Sequence, residues 1–322
     1  MDMNLRGDDP DRVGHSLANL IEVLIPLLEA ARVKSVVEIG SYAGDLTREL
    51  LNWAAGSDAR VIAIDPAPQP ELIELSKRRR DLELIREPSH DALRDVPPAD
   101  AVIIDGDHNY YTVSEELRLV DERAPDRIPL LILHDVCWPH GRRDAYYAPE
   151  QIPPEHRPSM ARDARLFPGE PGLAEGGLPY SRVARREGGR RNGVLTAVED
   201  FIASRDRVRL AIVPAFFGVA VLWLEDAPWA GAVARIVEPL DRNPILARLE
   251  ANRVFHIAKE HAQVGELMAL QERNAIQEDV LKPMLESSAF AWGERLSRLR
   301  KGGRPAFSRD LVRRALGDTD PP

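Results

Sequence analysis

The chain has 322 residues, 44% of them hydrophobic and 30% charged, with a formal net charge of -9. That balance excludes the dominant basic surface that non-specific binding to nucleic acid or anionic lipid needs. The single cysteine, Cys137, excludes an internal disulfide and a cysteine-rich metal cluster. The opening MDMNLRGDDPDR has no apolar core of signal-peptide type, and no later apolar run reaches the roughly 18 residues a bilayer span requires. A cytoplasmic location without a transmembrane segment is expected.

Apolar residues at helical spacing (Leu17, Leu20, Ile21, Leu24, Ile25, Leu28) predict an amphipathic helix over His15–Arg32. Strand and helix signals then alternate. Short β-rich runs lie at Ser35–Ile39, Val61–Ile64, Leu82–Ile85, Ala101–Ile104 and Leu130–Leu133, with helical patterns around Leu46–Trp53, Pro70–Arg79 and Val113–Val120 between them. The strand runs are apolar throughout rather than alternating, as expected where helices cover both faces of a parallel sheet. The predicted fold class is α/β: a doubly wound, mostly parallel, seven-stranded Rossmann-like sheet.

From Pro139 to about Arg191 the pattern stops, and Pro, Gly and Arg dominate. The segment reads as a lid over the site or a mobile loop. A helix resumes over Gly193–Ser204 with Asn192 as its expected N-cap, followed by runs at Val208–Val213 and Gly218–Leu224 that predict an antiparallel edge hairpin. After Pro228 the chain turns helical. Val254, Ile257, Val264 and Met268 recur at interrupted-heptad spacings, which fits a helix packed on its own domain or a homodimer through the C-terminal helices. The tail SSAFAWGERLSRLRKGG is basic and amphipathic, either a solvated end or a stretch that touches a membrane surface or an acidic partner. Two regions are expected: a domain over 1–242 with its insertion at about 139–191, and a helical extension over 243–322.

Chemistry concentrates at the strand ends. In VVEIGSYAG, residues 36–44, the first strand breaks into Glu38-Ile39-Gly40-Ser41-Tyr42-Ala43-Gly44. Glycine at 40 opens backbone angles closed to other residues and lets a ligand lie against the chain where the strand order reverses. The close glycine pair of a dinucleotide fingerprint is missing, because Ser41 and Tyr42 stand there. Asp65 ends the second strand in VIAIDPAP, where a carboxylate accepts hydrogen bonds from both hydroxyls of a ribose. Ser89 and His90 follow the third strand; Ser89 either flanks an adenine or caps the next helix. The fourth strand ends in AVIIDGDHNYY and the fifth in LLILHDVCWPHGRRD. Two carboxylates and an imidazole at one carboxyl edge repel or titrate unless something uses them.

The acidic-x-Gly-x-x-x-Gly pattern resembles motif I of the class I S-adenosylmethionine-dependent methyltransferases. The two later strand ends are similar to a small-molecule O-methyltransferase subgroup that includes catechol and caffeoyl types, macrolide-sugar methyltransferases and cephalosporin-hydroxylase-like relatives. The resemblance covers about Val36 to Leu224. It implies S-adenosylmethionine as cofactor, held by Glu38, Gly40, Ser41, Tyr42, Gly44, Asp65, Ser89, His90 and Asp105, with Asp65 on the ribose. It further implies Asp105 and Asp135 as ligands of a divalent metal, Mg2+ or Mn2+, and His108 as general base. A metal would lower the pKa of an acceptor hydroxyl while a neutral imidazole takes its proton.

The third ligand departs from the family pattern, since Val136 and His134 stand where relatives carry Asn or an acid. Imidazole is a poor ligand for magnesium and a good one for softer metals. His134 is therefore a metal ligand, a second base or a packed histidine. Asp107 is a substitute oxygen donor or an exposed turn carboxylate. His140, Arg142, Arg143, Tyr146 and Tyr147 are expected to wall an acceptor site, and the basic lid favours an anionic or nucleotide-linked acceptor, nucleotide- or sugar-linked among small hydroxylated molecules. The leading expectation is O-methyl transfer to a hydroxyl of a small molecule, a sugar of a natural product or glycan. An NAD-dependent oxidoreductase on the same fold, or a non-enzymatic cofactor-binding module, are the alternatives.

Overall fold

The computed structural model describes residues 15–124, 127–157, 159–301 and 308–315. The stretch read for a leader and the last two residues of the basic segment 287–303 lie outside them. The chain divides into two compact units, Met1–Lys259 and Glu260–Pro322.

In the first unit, a 3-10 turn at Leu17–Leu20 leads into α1 (Ile21–Ala30). The expected continuous helix from His15 is thus broken, because Ser16 accepts the Ala18 N–H and caps the tighter turn first. Then come β1 (Ser35–Ile39), α2 (Asp45–Ser57), β2 (Arg60–Ile64), α3 (Pro70–Arg78), β3 (Leu82–Ile85), α4 (Ser89–Asp95), β4 (Ala101–Ile104), α5 (Tyr110–Arg123) and β5 (Leu130–Leu133). The insertion carries β6 (Met160–Leu166) and β7 (Leu178–Ala184), and the domain continues with α6 (Val194–Ala203), β8 (Val208–Val213), β9 (Val219–Leu224) and α7 (Ala230–Val237). Next is α8 (Pro244–Glu286), whose residues to Lys259 belong to this unit.

The main sheet has the order β3-β2-β1-β4-β5-β9-β8, with β1 to β5 parallel and β8 and β9 antiparallel. This is a seven-stranded, mostly parallel Rossmann-like sheet with an antiparallel edge. β4 and β5 are buried at every position, which explains their uninterrupted apolar sequences. One apolar cluster fills the face under α1, α2 and α7, the other the face under α4, α5 and α6. Strand order reverses between β1 and β4, the place where α/β sheets open a crevice.

Register sets the site. Ile39 pairs with Ile64 and Ile104, and Ile104 with Leu133. Gly40, Asp65, Asp105 and His134 each follow one of these four residues and so emerge at one level of the carboxyl edge.

The insertion is ordered rather than a bare loop. β6 and β7 pair antiparallel over a small cluster of Ala145, Ala161, Ala164, Leu166 and Val183. At its exit Gly193, not Asn192, occupies the N-cap of α6. The Asn192 side chain instead accepts the Asp144 N–H and donates to the carbonyls of Arg186 and Gly188.

In the early part of α8, Val254 and Ala258 are buried. The second unit comprises the rest of α8 with α9 (Ser288–Lys301) and α10 (Arg309–Ala315). There Val264 and Met268 are exposed. Among the described residues no helix is long and apolar enough to cross a membrane.

Candidate active site

The turn after β1 is tight against the chain that leaves β4. A Cβ on Gly40, whose φ is +87°, would lie 2.2 Å from the Asp105 carbonyl oxygen. Glycine is required there because the ends of β1 and β4 pass each other. Gly44, at φ +84°, is the N-cap of α2 and packs on Leu72. Between them Tyr42, at φ +40°, is 64% exposed at the rim, while Ser41 is buried with its hydroxyl facing the Glu38 carbonyl at 3.5 Å.

Glu38 is buried and accepts the Thr47 hydroxyl at 2.6 Å. Burial, reinforced by Asp105, Asp65 and Asp45, pushes its carboxyl up to about 8. The Asp65 and Asp105 carboxylates thus lie close enough to Glu38 to add a negative field at this edge. Asp65 accepts the backbone N–H groups of Tyr42 at 2.7 Å and Ala67 at 2.8 Å, one on each oxygen. Each oxygen keeps a lone pair for a further donor.

Ser89 and His90 are tied to α5. The Ser89 hydroxyl donates to Glu116 at 2.5 Å, and His90 Nε2 lies 3.1 Å from the Thr112 carbonyl. Ser89 is the first residue of α4 and supplies no cap bond. Burial raises Glu116 to about 8, and its Oε2 is buried without a partner.

The β4 and β5 ends converge as their sequences implied. His108 Nδ1 lies 3.2 Å from Asp135 Oδ2. His134 Nδ1 lies 2.8 Å from Asp105 Oδ1 and 3.4 Å from Asp135 Oδ2, and its Nε2 is 2.7 Å from the Phe216 carbonyl. Acceptors face both ring nitrogens, so the ring carries both protons. Burial alone would discharge it, yet Asp105 and Asp135 raise it to about 10. Asp135 sits at φ +58°, a conformation that costs a non-glycine residue on the order of 1–3 kcal/mol and that clusters at functional sites. Its burial would raise the carboxyl, but the imidazoles of His108 and His134 outweigh that and hold it low.

Asp105, His108 and Asp135 each offer a ligand atom, all within 4.8 Å of one another. Two carboxylates and one imidazole fit a divalent cation, Mn2+ better than Mg2+. Asp107 faces inward instead, accepting from Asn109 and from the Tyr147 N–H.

The lid supplies aromatic walls. The His140 ring stacks on His108 at 5.1 Å and meets Tyr180 edge-on at 5.1 Å. Burial and the neighbouring His108 lower His140 to about 4, so it stays neutral. The Tyr147 hydroxyl is 3.5 Å from His108 Nε2, and its side chain is exposed. The expected arginine wall is absent. Arg142 forms a double ion pair with Glu199 of α6 at 2.6 Å, and the wholly buried Arg143 donates to the carbonyls of Ala184, Pro171 and Gly172. Tyr146 is likewise turned inward, donating to Asp144.

Sequence reasoning missed Thr47, Tyr180 and the Phe216 carbonyl. Thr47 lies nine residues beyond Glu38, on the first turn of α2, and that spacing alone could have suggested it. The other two come from distant parts of the chain, Tyr180 from β7 and Phe216 from the β8–β9 turn, and carry no local signal.

Residues 37–136 match the family model described as "Methyltransferase domain". Over those residues the chain is similar to methyltransferase domains. Solved structures with a similar layout include S-adenosylhomocysteine-bound methyltransferase PaMTH1 of Podospora anserina, at 15% identity, 64% of this chain, 78% of that one and TM-score 0.39. Another is an S-adenosylmethionine-dependent methyltransferase of Clostridium acetobutylicum, at 11% identity, 65% and 92% coverage and TM-score 0.39. A third is cofactor-bound Rv0187 from MTB, at 16% identity, 69% and 93% coverage and TM-score 0.40. At such scores none of them bears on substrate or chemistry. No curated protein sequence matches the chain.

Proposed function

We propose that this protein transfers the methyl group of S-adenosylmethionine to a hydroxyl oxygen of a small molecule. The observation that carries the reading is the His108–Asp135 pair on a methyltransferase sheet edge, 3.2 Å apart, beside a cluster that continues to Asp105 and His134. With Nδ1–H donated to Asp135, His108 presents Nε2 as an acceptor and can take the hydroxyl proton as the oxygen attacks the sulfonium methyl. The carboxyl edge formed by Glu38, Asp65 and Asp105 holds the cofactor, with Asp65 toward the ribose and Ser89 and His90 near the adenine. Residues 1–242 form the catalytic domain and 243–322 a helical extension.

The acceptor we infer is uncharged. Arg142 and Arg143 are spent on the lid, whereas Tyr42 and Tyr147 present exposed rings on which a sugar or a planar ring can stack. A sugar of a natural product or glycan remains our preferred class.

A second reading is supported by the ligand-like spacing of Asp105, His108 and Asp135. There these residues would hold a divalent cation that acidifies the acceptor hydroxyl, and His108 would be a ligand instead of the base.

The test uses His108→Ala with a panel of hydroxylated acceptors. Turnover should fall by about 10²–10⁴-fold, with S-adenosylhomocysteine affinity within about threefold. Unchanged turnover sinks His108 in either role. Activity that survives chelation favours the base; activity abolished by EDTA and restored by Mn2+ favours the metal. Thermal stabilisation by NAD and not by S-adenosylhomocysteine would revive the oxidoreductase reading.

A further inference from the structure

The tip between β8 and β9 is held in a conformation its sequence does not favour. Phe216 and Phe217 stand at φ +49° and +66°, followed by Gly218 at +89°. Two successive phenylalanines in the left-handed region persist only where the surroundings over-determine them. One restraint lies beneath: the Phe217 carbonyl accepts the Cys137 N–H at 2.7 Å, and a Cβ on Gly218 would meet Cys137 Sγ. The other comes from α8. Glu250, buried on that helix, accepts the Phe217 N–H at 2.7 Å. Arg253, one turn on, grips both Glu250 oxygens at 2.7 Å and lies over the rings of Phe216 and Phe217 at 5.3 and 4.6 Å.

What this turn presents to the site is the Phe216 carbonyl, against His134 Nε2. That bond fixes the ring whose other nitrogen meets Asp105 and lies near Asp135. A carboxylate thirty-three residues beyond the turn therefore stands two bonds away from the reacting edge. Outer-shell hydrogen bonds of this kind orient the groups that do chemistry.

We propose that Glu250, clamped by Arg253, is a positioning residue of the methyltransferase site, acting through the Phe216–Phe217 turn on His134 and so on Asp105 and Asp135. The inference rests on the reading of that cluster as the reacting centre. It gives the first turns of α8 a role in catalysis rather than in folding alone.

The experiment uses the full chain labelled with ¹⁵N-histidine and reads the ring N–H signals, with His134 identified by its loss in His134→Asn. The wild type should show a protected Nε2–H. Glu250→Ala should lose that protection, and Glu250→Gln, which keeps a carbonyl acceptor for the Phe217 N–H, should restore it. Val237→Ala, a core truncation on α7, serves as the control for general loosening and should leave the signal in place. With an acceptor in hand, Glu250→Ala should lower kcat about tenfold or more while the KM for S-adenosylmethionine stays within about twofold. An unchanged His134 signal in Glu250→Ala, or its equal loss in Val237→Ala, overturns the proposal. Absence of methyl transfer in the wild type counts against the proposed function instead, because the ring signal is read without turnover.

Discussion

The strand-end cluster and the lid are both rich in ionisable side chains, and they use them in opposite ways. At the ends of β4 and β5, charges meet charges: His134 lies between two carboxylates, and His108 meets one of them at 3.2 Å. In the lid, charges serve the chain's own packing: Arg143 is wholly buried among backbone carbonyls, and Arg142 is latched to α6 by its double ion pair with Glu199. A guanidinium whose terminal nitrogens bond to carbonyls in this way organises a loop, whereas a histidine facing carboxylates on an open edge is available to a ligand. Residue type announced chemistry in both places. Partners decided which place performs it.

The sharpest way to break this contrast is to empty the cluster. His134→Ala removes the cation of Asp105 and leaves Asp135 with His108 alone, and stability at pH 7 should fall by about 3–5 kcal/mol in urea unfolding. The pH dependence gives the sign. The His134 pKa rises from its ordinary 6.5 to about 10 on folding, so its contribution is complete below 6.5 and is lost as pH climbs through 10. The deficit of the variant should therefore shrink in alkali; a uniform deficit, or one below about 1 kcal/mol, would separate His134 from the carboxylates.

Glu116 sharpens the contrast from the other side, as a buried acid without a cation. Its pKa rises from 4.5 to about 8, so the wild type loses stability as pH rises between those values. Glu116→Gln should match the wild type near pH 5 and exceed it by on the order of 3 kcal/mol at pH 9, since a tenfold change in proton affinity corresponds to about 1.4 kcal/mol. Equal curves at pH 9 would show the acid to be ionised in the fold.

The lid should respond more mildly. Arg143→Met gives up hydrogen bonds to several carbonyls and should cost about 2 kcal/mol, with faster proteolysis between 160 and 190 and S-adenosylhomocysteine affinity unchanged. Arg142→Ala removes a half-exposed ion pair worth about 1 kcal/mol or less. A large drop in acceptor affinity in Arg142→Ala would restore the arginine to the acceptor wall.

How much of this was legible follows from where each signal resides. β1 to β5 are written as apolar runs because both faces of the sheet are covered, and those runs agree with the structure to within a residue. β6 and β7 were hidden, because they pair with each other over only a handful of small residues and carry arginines outward. Asp105, His108 and Asp135 were legible as side chains out of place at the ends of buried strands. The engagement of His134 was not, since its second partner is a carbonyl 82 residues away in the chain. Gly40 was noticed for its missing side chain, and one neighbour went unseen: the backbone of Asp105 and Gly106, just past β4, lies against it.

That neighbour changes what Gly40 sets. It works as a spacer between the two halves of the sheet, fixing how far the Asp105 carboxylate stands from the turn that begins α2. Any side chain at position 40 would drive the two strand ends apart before it met a ligand. A loss of cofactor binding in Gly40→Ala would then report a shifted carboxylate, and cofactor specificity and acid–base geometry would change together in response to one backbone distance.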